Sequence, residues 1–578
     1  MSGRDRILVA VLAVALVALS SVAIGQAIEP QGQALEPTAD VPVARGYVEG
    51  VLGRATRANP FGAWTPADRA LVALLFRGLV RLGPGDTLLP DLAARWEPRD
   101  DGRTWLFHLR PDQRWEDGEP ITAEDVAFTV SVLSDPDYTG PGGESWRDVT
   151  AEVIDPLTVA LRLSVPLGDF PQAATQPIAP VHVLGGVPPA ELPDSEFGSF
   201  PVTSGPFRLA SLDAVRAQLV ATGVIEPNTP GGGGRPATTP APTDSFRTPA
   251  PTARPDAAIP YLPSIELRWY DDVEILRRDW ERGLLDGVSG LSPADAKAFA
   301  AAPDARLVRY PGTTLLAVVL DLRASTSQFL DPKVRTAMLA AIDRDALVAG
   351  PLAGLGVRAD SLIPPSSPVF DSAASPRIAY APDDARAGLS DAGWKEGEGS
   401  WTPKGADDPI MIDVLCPEAS ANPVAYAFGA GVTEAWRAIG LAARLVPLPA
   451  AELLGQRLAT GEFQVAVVPL GLGLDPDLYP LLAASQTRSG GSNVAGLQDP
   501  ELDKLLEAAR MSLQPEDRAA AYKALQERLA ANAYMLPLAF RDEYLVLRDS
   551  VSGPARRAIG GSWERYWDVL TWRLADGR

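Results

Sequence analysis

Few residues in this chain are suited to chemistry, and none sits in a pattern that specifies a reaction. His108 and His182 are the only imidazoles in 578 residues, and Cys416 is the only thiol. Neither histidine has a second histidine or a cysteine at metal-ligand spacing, so a zinc site is not expected. His108 lies between Leu106 and Arg110 in an alternating stretch and reads as a strand-face residue. One cysteine forbids an intrachain disulfide and a cysteine metal cluster. There is no Gly-x-Ser-x-Gly elbow and no dinucleotide fingerprint. Gly231 to Gly234 form a glycine run, but no Gly-Lys-Ser/Thr follows it and no strand feeds it, so it does not read as a phosphate loop. Carboxylates abound, and a pair could do acid/base work on a glycosidic bond, yet no spacing selects one. The expectation is a non-enzyme that needs neither cofactor nor metal.

The elements that would position any site alternate between helix and strand. Thr65-Pro66 places a capping residue before a first-turn proline, and Leu71, Leu74 and Leu75 then share one face, which predicts a helix. Trp105 to Leu109 alternates as a strand, Asp117-Gly118 marks a turn, and Thr122 with Asp125 forms a capping box opening a second helix. Further on, Ile265 to Tyr270 reads as a strand. Asp331-Pro332 opens a helix with Val334, Met338, Ala341 and Ile342 on its buried stripe. Phe463 to Val468 reads as a buried strand, Asp499-Pro500 opens a helix carrying Leu502, Leu505, Leu506 and Ala509, and a last helix aligns Tyr522, Leu525 and Leu529. This alternation predicts an α/β architecture.

Lysine and arginine total 52 against 73 acidic residues, a formal net charge of −21 that would repel phosphate over most of the surface, so no nucleic-acid partner is expected. Arg4 and Arg6 precede an apolar run from Ile7 to Gly25, which reads as an export signal and is nearly long enough to remain as a membrane anchor. Small residues at Ser21, Ala23, Gly25 and Ala27 equally permit cleavage, and both fates stay open. Residues 29–45 read as a flexible tether. Residues from about 226 to 256, rich in Pro, Gly and Thr, read as a disordered insertion that cannot bury enough apolar surface to offset chain entropy.

An ordered string of motifs resembles the bacterial extracellular solute-binding proteins of family 5, the peptide-, dipeptide- and nickel-binding class. It comprises Leu75-Phe76-Arg77-Gly78-Leu79, Leu89-Pro90-Asp91-Leu92-Ala93 and Trp96, Asp101-Gly102, Phe107 to Arg110, Trp115 to Gly118, and Ile121 to Val126. Ser204-Gly205-Pro206-Phe207, Asp331 with Val334-Arg335, Ala341 to Arg344, Tyr380 through Ala385 to Trp394, Asp475-Pro476-Asp477, and Asn493 ahead of Asp503 and Leu505-Leu506 continue it. The resemblance implies a two-lobed periplasmic-binding-protein-like (type II) fold with an extra subdomain in the first lobe. By it, lobe I spans 46–311 and 536–578, with the subdomain at about 86–175, and lobe II spans 312–535. It also implies a monomer outside the cytoplasmic membrane that captures a small solute or peptide and delivers it to an ABC permease.

By the same resemblance, Phe61, Trp64, Leu472, Gly473, Arg488 and Asn493 lie near the cleft. In peptide-binding relatives a second-lobe carboxylate shortly before the Asp-Pro-Asp motif holds the peptide's amino group; the matching position here is Leu472, which argues for a less charged solute or a hydrophobic peptide. Phe61 and Trp64 would stack on the solute and Arg488 would pair with an anionic group, although a core position for the aromatics and a solvated loop for the arginine remain open readings. Two other functions stay open: a tethered sensor or scaffold reusing the fold, and an extracellular hydrolase.

Overall fold

The structure, a computed structural model, describes residues 45–222, 261–397, 400–474, 476–488 and 490–575. The export segment, nearly all of the tether, the proline-rich insertion and Asp475 lie outside the described residues. Among the described residues no helix is long and apolar enough to cross a membrane.

The chain enters through β1 (Tyr47–Leu52), loops, and forms α1 (Pro66–Leu75). Thr65 caps α1 in a capping box with Asp68, whose carboxylate also accepts from the backbone N–H groups of Thr56 and Arg57 and so ties the loop to the helix start. A four-stranded antiparallel sheet (Ala93–Arg99, Thr104–Leu109, Thr158–Leu163, Val149–Asp155) follows in the first lobe, covered by the helix Ala123–Ser134 with the expected Thr122–Asp125 box.

Among the described residues three two-stranded ribbons stand apart, and the other strands form one 11-stranded sheet. Within it β2 (Gly287–Ser289) pairs with β1, and β3 (Ala305–Leu320), β4 (Val465–Gly471) and, after α2 (Pro500–Met511) and α3 (Pro515–Asn532), β5 (Met535–Arg548) form its centre. Three hydrophobic cores pack on this sheet, the smallest gathering Leu276, Trp280, Val288, Phe299 and Val546, and the other two large. One of the large pair is drawn from residues between Leu315 and Phe540. The other runs from Tyr47 to Trp269 and takes Val308, Tyr310, Leu545, Leu547 and the C-terminal segment to Trp572. Thus β3 and β5 each serve one core at one end and the other core at the other end, so the molecule has two lobes sharing two long strands. The pairing of β3 with β5 jumps from Tyr310↔Glu543 to Thr314↔Arg541, a bulge that falls where the cores change over. Gly312 sits in it because a Cβ there would overlap the carbonyl oxygen of Arg541.

Helix α2 shows how local sequence and tertiary contact combine. Asp499 caps it through the N–H groups of Glu501 and Leu502, and also accepts from Arg528 of α3 and from the hydroxyl of Tyr534. Partial burial raises this carboxyl, but the Tyr534 and Arg528 hydrogen bonds outweigh it and hold the pKa at about 2. A folded-state value below the ordinary one contributes stability that is complete above about pH 4 and disappears as pH falls toward 2. Asp499→Asn is expected to flatten the acid limb of a chemical-denaturation profile between pH 5 and 2 by one proton's worth of slope; an unchanged slope would refute this assignment.

Candidate ligand-binding site

Strand directions decide which loops face each other. β1 is parallel to β2, β2 is antiparallel to β5, and β5 is antiparallel to β3, so β1 runs with β3 toward the second lobe. β4 is antiparallel to β3, ending with Gly471 opposite Thr314, so it runs toward the first lobe and stops at the bulge. The loop after β1 (residues 53–65) and the loop after β4 (from Leu472) therefore leave the sheet toward each other at the level of the crossing strands. Leu472 N–H donates to Thr313 O across this junction at 3.4 Å. Thr313 itself is 1% exposed, and its hydroxyl has no hydrogen-bond partner among the described residues. A buried unpaired hydroxyl is unusual and was not singled out from the sequence, where an isolated threonine carries no signal.

A cleft of 1330 Å³ runs along α1, from Pro60 and Ala63 beside its N-terminus to Phe76–Gly78 beyond its C-terminus. Its opposite wall is the C-terminal segment, where Trp563 lies under the Arg69 guanidinium at 4.5 Å. All its lining residues come from the first lobe.

That wall is fixed by a buried ion pair. Glu49 on β1 is 0% exposed and Arg565 is 3% exposed. Arg565 donates to Glu49 Oε1 at 2.7 Å, Ser289 donates to the same oxygen at 2.6 Å, and the Tyr47 and Tyr566 hydroxyls each donate to Oε2 at 2.9 Å. Burial alone would lower the Arg565 pKa, but the adjacent Glu49 carboxylate raises it above its ordinary value. Burial, reinforced by Glu49, pushes both tyrosine hydroxyls well up, so they serve as hydrogen-bond donors.

Comparison with known proteins identifies this architecture. Residues 87–492 match the profile of the bacterial extracellular solute-binding proteins, family 5 (middle region). The chain belongs to that family. Protein XP55 of Streptomyces lividans is 29% identical over 486 residues, covering 83% of this chain and 81% of XP55. The oligopeptide-binding protein AppA of Bacillus subtilis is 23% identical over 515 residues, 88% of each chain. The structure of that AppA in complex with a nonapeptide superposes with a TM-score of 0.69 at 21% identity over 92% of this chain and 99% of AppA. NikZ of Campylobacter jejuni in complex with Ni(L-His) gives 0.68 at 22%, over 91% and 99%. These similarities establish the mixed α/β, two-lobed type II fold that the motif string implied.

Within this family 5 protein the six residues named from the sequence fare differently. Trp64 is 55% exposed on the β1 loop, and Leu472, half-buried, and Gly473, exposed, begin the β4 loop. These three come from the facing loops. Arg488 is exposed farther along the second loop. Phe61 departs from the stacking expectation: it is fully buried, edge-on to Phe128 and Tyr138 at 6.1 Å each, so its ring offers a solute no surface. Asn493 is likewise buried, donating to Leu482 O, Ala483 O and Leu497 O and accepting from Leu497 N–H, which spends its amide on bracing the second loop. Neither histidine forms a catalytic array. His182 Nε2 lies 2.7 Å from Asp117 Oδ2 at the predicted turn, and His108 faces Thr158. Among the described residues no cluster of His, Cys, Asp and Glu is placed to hold a metal ion.

Proposed function

We propose that this chain is the extracytoplasmic binding component of an ABC importer, enclosing a small solute between the β1 loop and the β4 loop and presenting the closed form to a membrane permease. The observation that carries it is the opposed direction of β1 and β4, which aims the loops that follow them toward the level of the bulge where the two large cores hand over their shared strands. A solute touching both loops binds the closed arrangement better than the open one and shifts the population by that difference, with no bond made or broken. On this reading lobe I is 46–311 with 536–578, carrying the subdomain at about 86–175, lobe II is 312–535, and the protein works as a monomer outside the cytoplasmic membrane without catalysis.

Relatives hold a nonapeptide (AppA) and a nickel–histidine complex (NikZ). Here the exposed Trp64 and the half-buried Leu472 offer an apolar junction, which favours a weakly charged solute or a hydrophobic peptide over a ligand anchored by its ammonium group. Native purification followed by mass spectrometry of co-purifying small molecules tests this directly. The expected result is a peptide-like or otherwise weakly charged solute that, when added back, raises the unfolding temperature and narrows the molecule in small-angle scattering. Failure of a co-purified molecule, or of a broad peptide and metal-chelate panel, to change either readout would reject the binding role.

A further inference from the structure

The two lobes touch at a second place that does not involve the crossing strands. The turn between α2 and α3 leaves the second-lobe core, where Leu506, Ala509, Tyr522 and Leu525 are buried, and places Leu513 against the first-lobe core instead. Leu513 lies against Gly102 at the edge of the four-stranded sheet. Beside it, Gly168 N–H donates to Arg510 O at 2.9 Å, and a Cβ on Gly168 would overlap the carbonyl oxygen of Ser512, so only glycine permits this approach. Arg518 of α3 stands 3.9 Å from Asp169. The contact is therefore a small built interface: an inserted apolar side chain, a backbone hydrogen bond, a glycine that allows contact and an ion pair at the rim.

Arg510 also reaches the ligand loop. Its guanidinium lies 3.1 Å from Asp477 and 4.3 Å from the centre of the Tyr479 ring, and Asp477 accepts the Tyr479 N–H at 3.0 Å. The segment that begins at Leu472 is thus joined through one arginine to the turn that holds the first lobe.

We propose that the Arg510–Leu513 turn is a latch, which holds the two lobes in the arrangement seen here without ligand and, with that arrangement as the binding-competent one, sets solute affinity from outside the cleft. Its consequence for affinity rests on the two-lobed binding function; the contact itself does not. Apparent affinity scales with the fraction of molecules in the competent state, so loosening the latch weakens binding of any solute while leaving the cleft's selectivity order intact.

The test uses the ligand-free chain, so it stays informative whatever the solute proves to be. Spin labels are attached to cysteines introduced at the exposed positions Val153 and Leu454; the native Cys416 is buried and spared. Wild type is expected to show mainly one distance, and Leu513→Asp and Gly168→Val are each expected to add a second population, shifted from it, that is minor or missing in wild type. Hydrogen exchange on the unmutated protein gives a second readout that needs no variant to fold: the Gly168 amide should exchange at least about ten-fold more slowly than a free amide, as expected for a persistent hydrogen bond. Distance distributions that superimpose on wild type in both folded variants, or a Gly168 amide exchanging at the free rate, would overturn the latch.

Discussion

Replacing Arg565 with methionine is expected to lower the stability of the folded chain by about 3–5 kcal/mol, the usual cost of stranding one partner of a buried ion pair. The carboxylate left behind, Glu49, is fully enclosed, and although Tyr47, Tyr566 and Ser289 still donate to it, the compensating positive charge is gone. Glu49→Gln should be milder in charge terms but leaves the guanidinium buried, so it too is destabilising. The double variant Glu49→Gln/Arg565→Met should recover part of the loss, because no uncompensated charge remains. Urea denaturation followed by tryptophan fluorescence measures all three. A cost below about 1 kcal/mol for Arg565→Met, within the range of an exposed pair, would mean that water reaches this network. Because Trp563 and Tyr566 belong to the same short segment, the single variants should also loosen the wall of the cleft along α1.

The second large effect concerns the ligand. On the proposed reading Leu472 stands where peptide-binding relatives carry an amino-group anchor; it begins the β4 loop and is hydrogen-bonded through its N–H to Thr313 O. Leu472→Asp should install that anchor. A charge-assisted hydrogen bond is worth about 1.5–3 kcal/mol, so affinity for peptides with a free N-terminus should rise by roughly ten- to a hundred-fold, while their N-acetylated counterparts gain nothing. Isothermal titration of paired free and acetylated peptides reads this difference. Equal affinities for the pair would show that position 472 does not face the solute's amino group. A wild-type chain that already prefers the free peptide would place the anchor on another residue.

The parts of this protein legible in its sequence are those governed by neighbours in the chain. Thr65, Thr122, Asp331 and Asp499 all cap helices as their types and following residues announce, because capping is a bond between a side chain and a backbone N–H two or three positions away. The strand expected at Phe463–Val468 instead spans Val465–Gly471, since its end is set by pairing of Gly471 with Thr314 rather than by its own apolar run. Likewise the helix from Pro332 ends at Ala340, leaving Ala341 and Ile342 buried just beyond it.

Site residues were harder to read because they depend on distant partners. An aromatic at position 61 suits a ligand platform or a core equally well until Tyr138 and Phe128 close over it. Nothing near Glu49 in the chain announces that its cation lies at position 565, nor does Gly168 reveal that it exists to admit Ser512.

What the sequence determined by itself was the family, through an ordered string of motifs, together with the alternation of helix and strand and the lack of a catalytic pattern. Only the tertiary structure decided which loops face each other, which named residues are spent on bracing the fold, and where the lobes touch a second time. The physical reason is reach: caps, turns and hydrophobic periodicity act over a few residues, whereas burial, ion pairing and close backbone approach are made between segments that the sheet brings together.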